Sequence, residues 1–207
     1  MKLTTPARSG FITGLYVPLI PLLVAIIYRK LPLFSECAGI TLAAIGMSLM
    51  TLDFARLTVG PGDLLTLGCA VAFAIHMLIL GHYATRIDTQ WLTLLQLGTC
   101  ATLAALTVPW IEQPYGRWST RVVLAVAVTS LLATALAFTV QTWGQRHTTP
   151  SRTALIFALE PVFAWLTSYL YAGEVLTRQV VFGAVCILAG ILLVELKPGT
   201  VPPHQLS

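Results

Sequence analysis

Charge is scarce in this chain. Lys and Arg total 12 and Asp and Glu total 8 among 207 residues, or 10% of the sequence, against roughly 25% in ordinary soluble domains. With 57% hydrophobic residues and a mean hydropathy of +0.83, the chain carries more apolar surface than a water-facing fold can hide, because much of any folded surface stays exposed. In lipid that difficulty vanishes, since the solvent is itself apolar. The net charge of +4 contains no basic run, which argues against a nucleic-acid partner. Four cysteines, Cys37, Cys69, Cys100 and Cys186, lie in apolar stretches at spacings that match no metal motif, and they read as small packing residues. The sequence also lacks a zinc-type His-Glu spacing and any convergent set of acids and bases, so no catalytic residue, metal ligand or cofactor is expected. Alternating strands of the β-barrel kind are missing as well, because the apolar runs are continuous. No cleavable leader pattern is expected either, since Met1–Gly10 is short and polar and the apolar run beyond it contains Pro18 and Pro21.

Long apolar runs are what the sequence does have. A hydrocarbon core of about 30 Å needs about 20 helical residues. Seven candidates occur, at about 10–28, 36–52, 64–83, 91–110, 122–143, 153–172 and 178–196. Glu36, Asp53, Arg178 and Lys197 mark the ends of the two shortest. The expected fold class is all-α, a polytopic membrane protein of seven transmembrane helices whose stable partner is the lipid bilayer.

Residues 6–52 and 150–196 are two copies of one pattern, aligned without a gap at an offset of 144. Pro6 meets Pro150, Arg8 meets Arg152, Gly39 meets Gly183 and Gly46 meets Gly190, with Ile12, Leu15, Leu22, Leu49 and Leu52 also matched. The first copy occupies segments one and two and the second copy segments six and seven. A shift of five crossings is odd, so the copies enter the membrane from opposite sides, as inverted repeats of secondary transporters do. Three further segments, at about 63–143, precede the second copy. Their partners at the same offset would lie before residue 1. The expectation is therefore an inverted-repeat transporter fold lacking the first three of ten helices.

Particular motifs carry a resemblance. GDLLTLGCAVAFAIHMLILGHYA at 62–84, WGQRHTTPSRTALIFALEPVFAWL at 143–166, AGE at 172–174 and GAVCILAGILLVEL at 183–196 are similar to those of the EamA-like proteins of the drug/metabolite transporter superfamily. The resemblance covers about residues 6–197. It implies a ten-helix permease with cytoplasmic termini that exports or exchanges small metabolites, including amino acids or drugs. It divides the chain into 1–53, the C-terminal helix pair of a first EamA repeat, and 62–197, a complete five-helix second repeat, while the residues of 198–207 themselves read as a disordered tail. A cytoplasmic C-terminus puts Arg29, Lys30, Arg86, Arg146, Arg152 and Lys197 inside, and Lys2, Arg8, Arg56, Arg117, Arg121 and Arg178 outside. Setting aside Lys2 and Arg8 beside the N-terminus leaves a weak excess inside. The setting implied is the inner (plasma) membrane of a bacterium.

Polar groups within the spans are the candidates for function. Glu160 is the one Asp, Glu, Lys or Arg well inside a span. A charge there costs about 2.5–3.5 kcal/mol on insertion scales and usually faces a cavity or a partner. Pro161 follows it, removing an N–H and freeing the carbonyl of Phe157. Pro18 and Pro21 are the equivalent helix-opening candidates in the first copy, where Tyr16 takes the place of Glu160. From the helix rise of about 1.5 Å per residue, His76 lies about 20 Å and Glu160 about 12 Å from opposite faces, nearly level in a 30 Å core, with Gln96 close to the same layer. Glu160, His76, Gln96 and Tyr16 form the candidate substrate pathway. Each also has a plain structural reading, as glue between helices. Gln141, Trp143 and Gln145 close segment five. Trp91, Trp110 and Trp118 read as interfacial anchors, and Trp165 as packing. Gly68 with Ala72 and Ala154 with Ala158 permit close helix contact.

A permease for a small-molecule metabolite accounts for most of these features. A seven-helix structural or receptor-like protein without transport is the alternative, although segment seven offers no Lys for a retinal Schiff base. A membrane-embedded enzyme would need more than one Glu and one His. A homodimer is the protein partner that this reading allows.

Overall fold

The computed structural model describes residues 6–29, 32–51, 60–111, 119–173, 175 and 177–196. The expected tail at 198–207, Trp118 and the Glu174 of the AGE motif lie outside the described residues. Within them the regular elements are helices: α1 (Pro6–Gly14), α2 (Tyr16–Tyr28), α3 (Phe34–Thr51), α4 (Pro61–Ala84), α5 (Thr89–Ile111), α6 (Thr120–Val128), a π-helical run (Thr129–Leu136), α7 (Ala137–His147), α8 (Pro150–Phe157), α9 (Glu160–Ala172) and α10 (Arg178–Leu196). They combine into seven rods long and apolar enough to cross a membrane: Ser9–Tyr28, Phe34–Thr51, Pro61–Ala84, Thr89–Trp110, Thr120–His147, Pro150–Tyr171 and Arg178–Leu196. The fifth is longer than its apolar run. The helix continues through Gln141 and Gln145 and stops only where Thr148 turns extended (φ −142°, ψ 169°) ahead of Pro150. Both glutamines are buried inside the fold.

The described residues of 1–79 and 149–207 make one compact unit and those of 80–148 a second. In the first unit the two halves repeat in detail at the offset of 144. The first rod is interrupted at Leu15 (ψ −13°) and the sixth at Leu159 (ψ −13°). Each interruption is a tightened turn: Leu15 N–H donates to the Ile12 carbonyl at 3.2 Å, and Leu159 N–H to the Ile156 carbonyl at 3.1 Å. Proline is the local cause, since Pro18 and Pro161 cannot donate to the carbonyls of Gly14 and Phe157. Both second halves then run 13 residues, and both end in a left-handed cap, Arg29 (φ 53°) and Gly173 (φ 68°). Pro21 lies in the interior of an unbroken α2. The first half of the sixth rod starts cleanly, because Pro150 opens α8 and the Thr149 side chain accepts from Arg152 N–H.

The packing centre of this unit is the crossing of α3 with α10. A Cβ built on Gly39 would lie 2.6 Å from the Gly190 carbonyl oxygen, and one on Gly46 would lie 2.5 Å from that of Gly183. The contacts run 39 to 190 and 46 to 183, so the helices are antiparallel and the pairs exchange under the repeat. Glycine is required at this approach because backbone, not a movable side chain, fills the space. Gln179 Nε2 donates to the Leu49 carbonyl at 2.7 Å and fastens one end of the crossing. Ala43, Met47, Ile187 and Val194 of this pair join Tyr16, Val17 and Ile20 of α2, Ala74, Met77 and Leu78 of α4, and Ala154 and Leu155 of α8 in one core. Cys186 is buried here, while Cys37, Cys69 and Cys100 are exposed. Packing therefore accounts for one cysteine of four. An apolar thiol suits a lipid-facing surface equally well.

The second unit holds α5, α6, the π-helical run and α7. Most of α5 and α6 is exposed. Exposed hydroxyls of α5 and of the π-helical run are tolerated on an apolar surface where they return to their own helix. Thr99 donates to the Leu95 carbonyl at 2.7 Å, Thr102 to Gly98 at 2.8 Å and Thr129 to Ala125 at 2.7 Å.

Candidate functional site

The two interruptions stand directly ahead of the repeat-equivalent residues Tyr16 and Glu160. Tyr16 is ten residues beyond Pro6 and Glu160 ten beyond Pro150, so each stands about 15 Å along its rod at a rise of 1.5 Å per residue. α2 packs on α8, the second half of one rod against the first half of the other, as a crossing near the interruptions requires. Glu160 stands within electrostatic reach of the Tyr16 phenol. Tyr16 is buried at 4% exposure, whereas Glu160 is exposed.

α4 closes the inner side of this arrangement. Phe73 meets the Tyr16 ring edge-on with centroids 4.8 Å apart, and His76 follows at 5.9 Å from Phe73. His76 Nε2 is buried and has no hydrogen-bond partner among the described residues. Tyr16, Phe73 and His76 therefore form a row of rings, with the exposed Glu160 within electrostatic reach of its Tyr16 end and the buried His76 Nε2 at the other. Phe73 was not among the expected residues. Its spacing of three from His76 on one helix face was the available signal.

Gln96 belongs to the second unit, where Nε2 donates to Thr142 Oγ1 at 2.9 Å across α5 and α7. Thr142, itself bonded to the Phe138 carbonyl at 2.8 Å, is a partner the sequence did not single out. The π-helical run is a second feature without a clear sequence signal. Thr134 Oγ1 donates to the Thr129 carbonyl, five residues back, at 2.9 Å. Trp165 stacks on Tyr169 with centroids 5.4 Å apart, a packing contact within α9. Trp91 and Trp110 are exposed near opposite ends of α5, as anchors would be. Among the described residues no group of three His, Cys, Asp or Glu could hold a metal ion.

Comparison with known proteins places the chain. The sequence pattern of the EamA-like transporter family matches residues 60–196. The chain belongs to the EamA-like transporter family. An "Uncharacterized transporter" of Archaeoglobus fulgidus is 30% identical over 194 residues, covering 94% of this chain and 62% of that protein. A second so named from the same organism is 29% identical over 158 residues, covering 75% of this chain and 54% of the relative. The "Uncharacterized transporter YvbV" of Bacillus subtilis is 27% identical over 141 residues, covering 66% of this chain and 45% of that one. The chain thus spans 62% or less of the length of these relatives. A solved structure titled only "Crystal structure of protein" superposes with a TM-score of 0.82 at 20% identity, covering 94% of this chain and 70% of the other, and shows the same fold. Seven spanning helices and this family make the protein an integral membrane protein.

Proposed function

We propose that the protein acts as a permease for small metabolites, of the amino-acid or drug-like kind, with the substrate passing the midplane row of Glu160, Tyr16 and His76. The observation that carries this reading is the pair of matched interruptions, at Leu15 and Leu159, directly ahead of Tyr16 and Glu160. An opened turn beside a carboxylate provides polar atoms where a continuous helix would offer none, the arrangement in which broken helices bind solutes. The family and the transporter names of the relatives support it. Residues 6–52 and 150–196 work as inverted halves, with the spans at 61–147 completing the second repeat. Pro18 and Pro161 set where the broken rods flex. The row is that of a carrier rather than of an enzyme. The host membrane is the inner (plasma) membrane of a bacterium, with the C-terminus on the cytoplasmic side.

The test is uptake into liposomes containing the purified chain, using a panel of radiolabelled amino acids, amines and organic acids. Saturable uptake of at least one solute, lowered by Glu160→Gln while the protein still inserts and elutes as a single species, is the expected result. Uptake across the whole panel no faster than in empty liposomes counts against the permease.

A further inference from the structure

We propose that one end of the second unit, formed by the turn between α4 and α5 and the last turn of α7, is a binding site for an anionic phospholipid. Arg86 and Arg146 hold its phosphodiester, and its acyl chains lie on the outer faces of α5 and α7. The inference stands apart from the permease reading, because it names a lipid partner of this unit and uses no residue of the transport row.

Three observations within this unit support it. The first is register. α5 and α7 belong to consecutive antiparallel spans, joined where Gln96 Nε2 donates to Thr142 Oγ1 at 2.9 Å. At about 1.5 Å per residue, Gln96 lies about 10 Å inward of Thr89 and Thr142 about 8 Å inward of His147, so the two helix ends are level to within about 3 Å. Arg146 follows Thr142 by one turn on the side of α7 that meets α5. Arg86 stands in the turn leading into α5, its N–H donating to the Tyr83 carbonyl at 2.9 Å. The second observation is charge. Both arginines are exposed, and neither side chain has an ion pair or hydrogen bond among the described residues. Asp88, the carboxylate of this end, is already engaged at the start of α5, where its Oδ1 accepts from Gln90 N–H at 2.9 Å. Residues 80–96 and 140–148 are all described, so this end of the unit sets two guanidinium groups against one carboxylate that caps a helix. The third is the surface around them. Trp91 is 66% exposed and Trp143 57%, amphipathic rings suited to the headgroup level. His147 braces Trp143, with ring centroids 4.7 Å apart and its Nδ1 donating to the Trp143 carbonyl at 2.8 Å. Inward of the tryptophans, Leu94, Leu95 and Val140 are exposed and apolar. A phosphodiester matches the guanidinium fork and accepts paired N–H bonds from it. A lipid without an ammonium group also brings the negative charge that this end lacks, whereas a zwitterionic lipid carries its own counter-cation. A soluble anion would meet the arginines but leave the apolar wall unused.

The experiment uses the purified full chain in detergent micelles, with phosphatidylglycerol or phosphatidylcholine of the same acyl chains added in turn. Retained lipid is counted by native mass spectrometry. The expected result is that phosphatidylglycerol binds at least about fivefold tighter than phosphatidylcholine. Arg86→Gln and Arg146→Gln should each lower phosphatidylglycerol binding by about fivefold and leave phosphatidylcholine binding within about twofold. The double substitution should abolish the preference, and Arg86→Lys, which keeps the charge, should retain most of it. Arg121→Gln, at the start of α6 and the far end of the unit, should change neither lipid. Size-exclusion elution reports folding. If the double variant does not fold, the single variants and the preference of the unaltered protein decide. Equal binding of the two lipids, a preference untouched by the Arg86 and Arg146 variants, or one lowered as much by Arg121→Gln overturns the site. Displacement of phosphatidylglycerol by excess inorganic phosphate would make this a soluble-anion site and overturn the lipid assignment.

Discussion

Gly46→Ala adds one methyl group at the closest approach of α3 and α10. That Cβ would lie 2.5 Å from the Gly183 carbonyl oxygen, 2.7 Å from Ile187 Cγ1 and 2.9 Å from the Ile187 backbone nitrogen, where ordinary contact begins at 3.4 Å. Ile187 Cγ1 can swing away, but the two backbone atoms cannot. The helices must separate by about 1 Å, a gap that forfeits a quarter to a half of each dispersion contact it opens. Overpacking of this kind costs about 1–3 kcal/mol, and in a bilayer packing is a main source of helix association. Gly68→Ala is the matched control: nothing lies within 4 Å of its Cβ, and replacing a mid-helix glycine gains about 0.5–1 kcal/mol. The two substitutions share that helix gain, so they should differ by the overpacking cost, about 1–3 kcal/mol in unfolding free energy. Titration of the micellar protein with SDS, followed by Trp fluorescence, measures it. Gly183→Ala, blocked by Met50 Cγ at 2.6 Å and the Gly46 carbonyl oxygen at 2.7 Å, should behave like Gly46→Ala. If all three variants unfold together, the helices do not meet backbone to backbone and the crossing is refuted.

The left-handed caps give an asymmetric pair. Arg29→Gly relieves a φ of 53° and should stabilise by about 1 kcal/mol, whereas Gly173→Ala imposes a φ of 68° on a Cβ and should cost about 1–2 kcal/mol, both read in the same SDS titration. Thr142→Val removes the acceptor of Gln96 and should cost about 0.5–2 kcal/mol, while Val123→Ala, on an exposed face, should change stability by less than about 0.5 kcal/mol. His76→Leu removes a buried nitrogen without a partner. It should leave stability within about 1 kcal/mol yet lower uptake in liposomes severalfold, and unchanged uptake would reduce His76 to filling.

Much of the architecture was legible because lipid leaves a sequence few options. Charge scarcity set the solvent, run length set the seven spans, and the fixed offset of 144 set the inversion. That offset also anticipated more than it was asked to. Leu15 with Leu159, and Arg29 with Gly173, were matched positions before their shared backbone breaks and caps were seen. Only Gly173 announced its cap by residue type. Pro21 misled as a marker of opening, since a proline interrupts a helix only where neighbours do not hold the flanking turns, and Val17 and Ile20 beside it are fully buried. Arg29 in a left-handed conformation and the π-helical run at 129–136 had no local signature, because both depend on how the chain is held from outside the segment. At the candidate site the sequence named Tyr16, His76 and Glu160, with a shared layer expected for His76, Glu160 and Gln96. It could not supply Phe73 as the link between them, because facing is a property of helix rotation, which apolar composition on every side leaves undetermined.

The most direct test of the account is whether water reaches position 160 from within the membrane. Cys37, Cys69, Cys100 and Cys186 are replaced by Ala, Glu160→Cys is introduced, and labelling by a membrane-impermeant cationic methanethiosulfonate is followed in native vesicles, with Leu131→Cys on an exposed apolar face as the lipid-facing control. The account predicts labelling at position 160, none at 131, and protection at 160 by any solute that the permease carries. A position 160 that reacts only with a lipid-soluble maleimide, as position 131 should, would place Glu160 against hydrocarbon and contradict a pathway at the paired helix breaks.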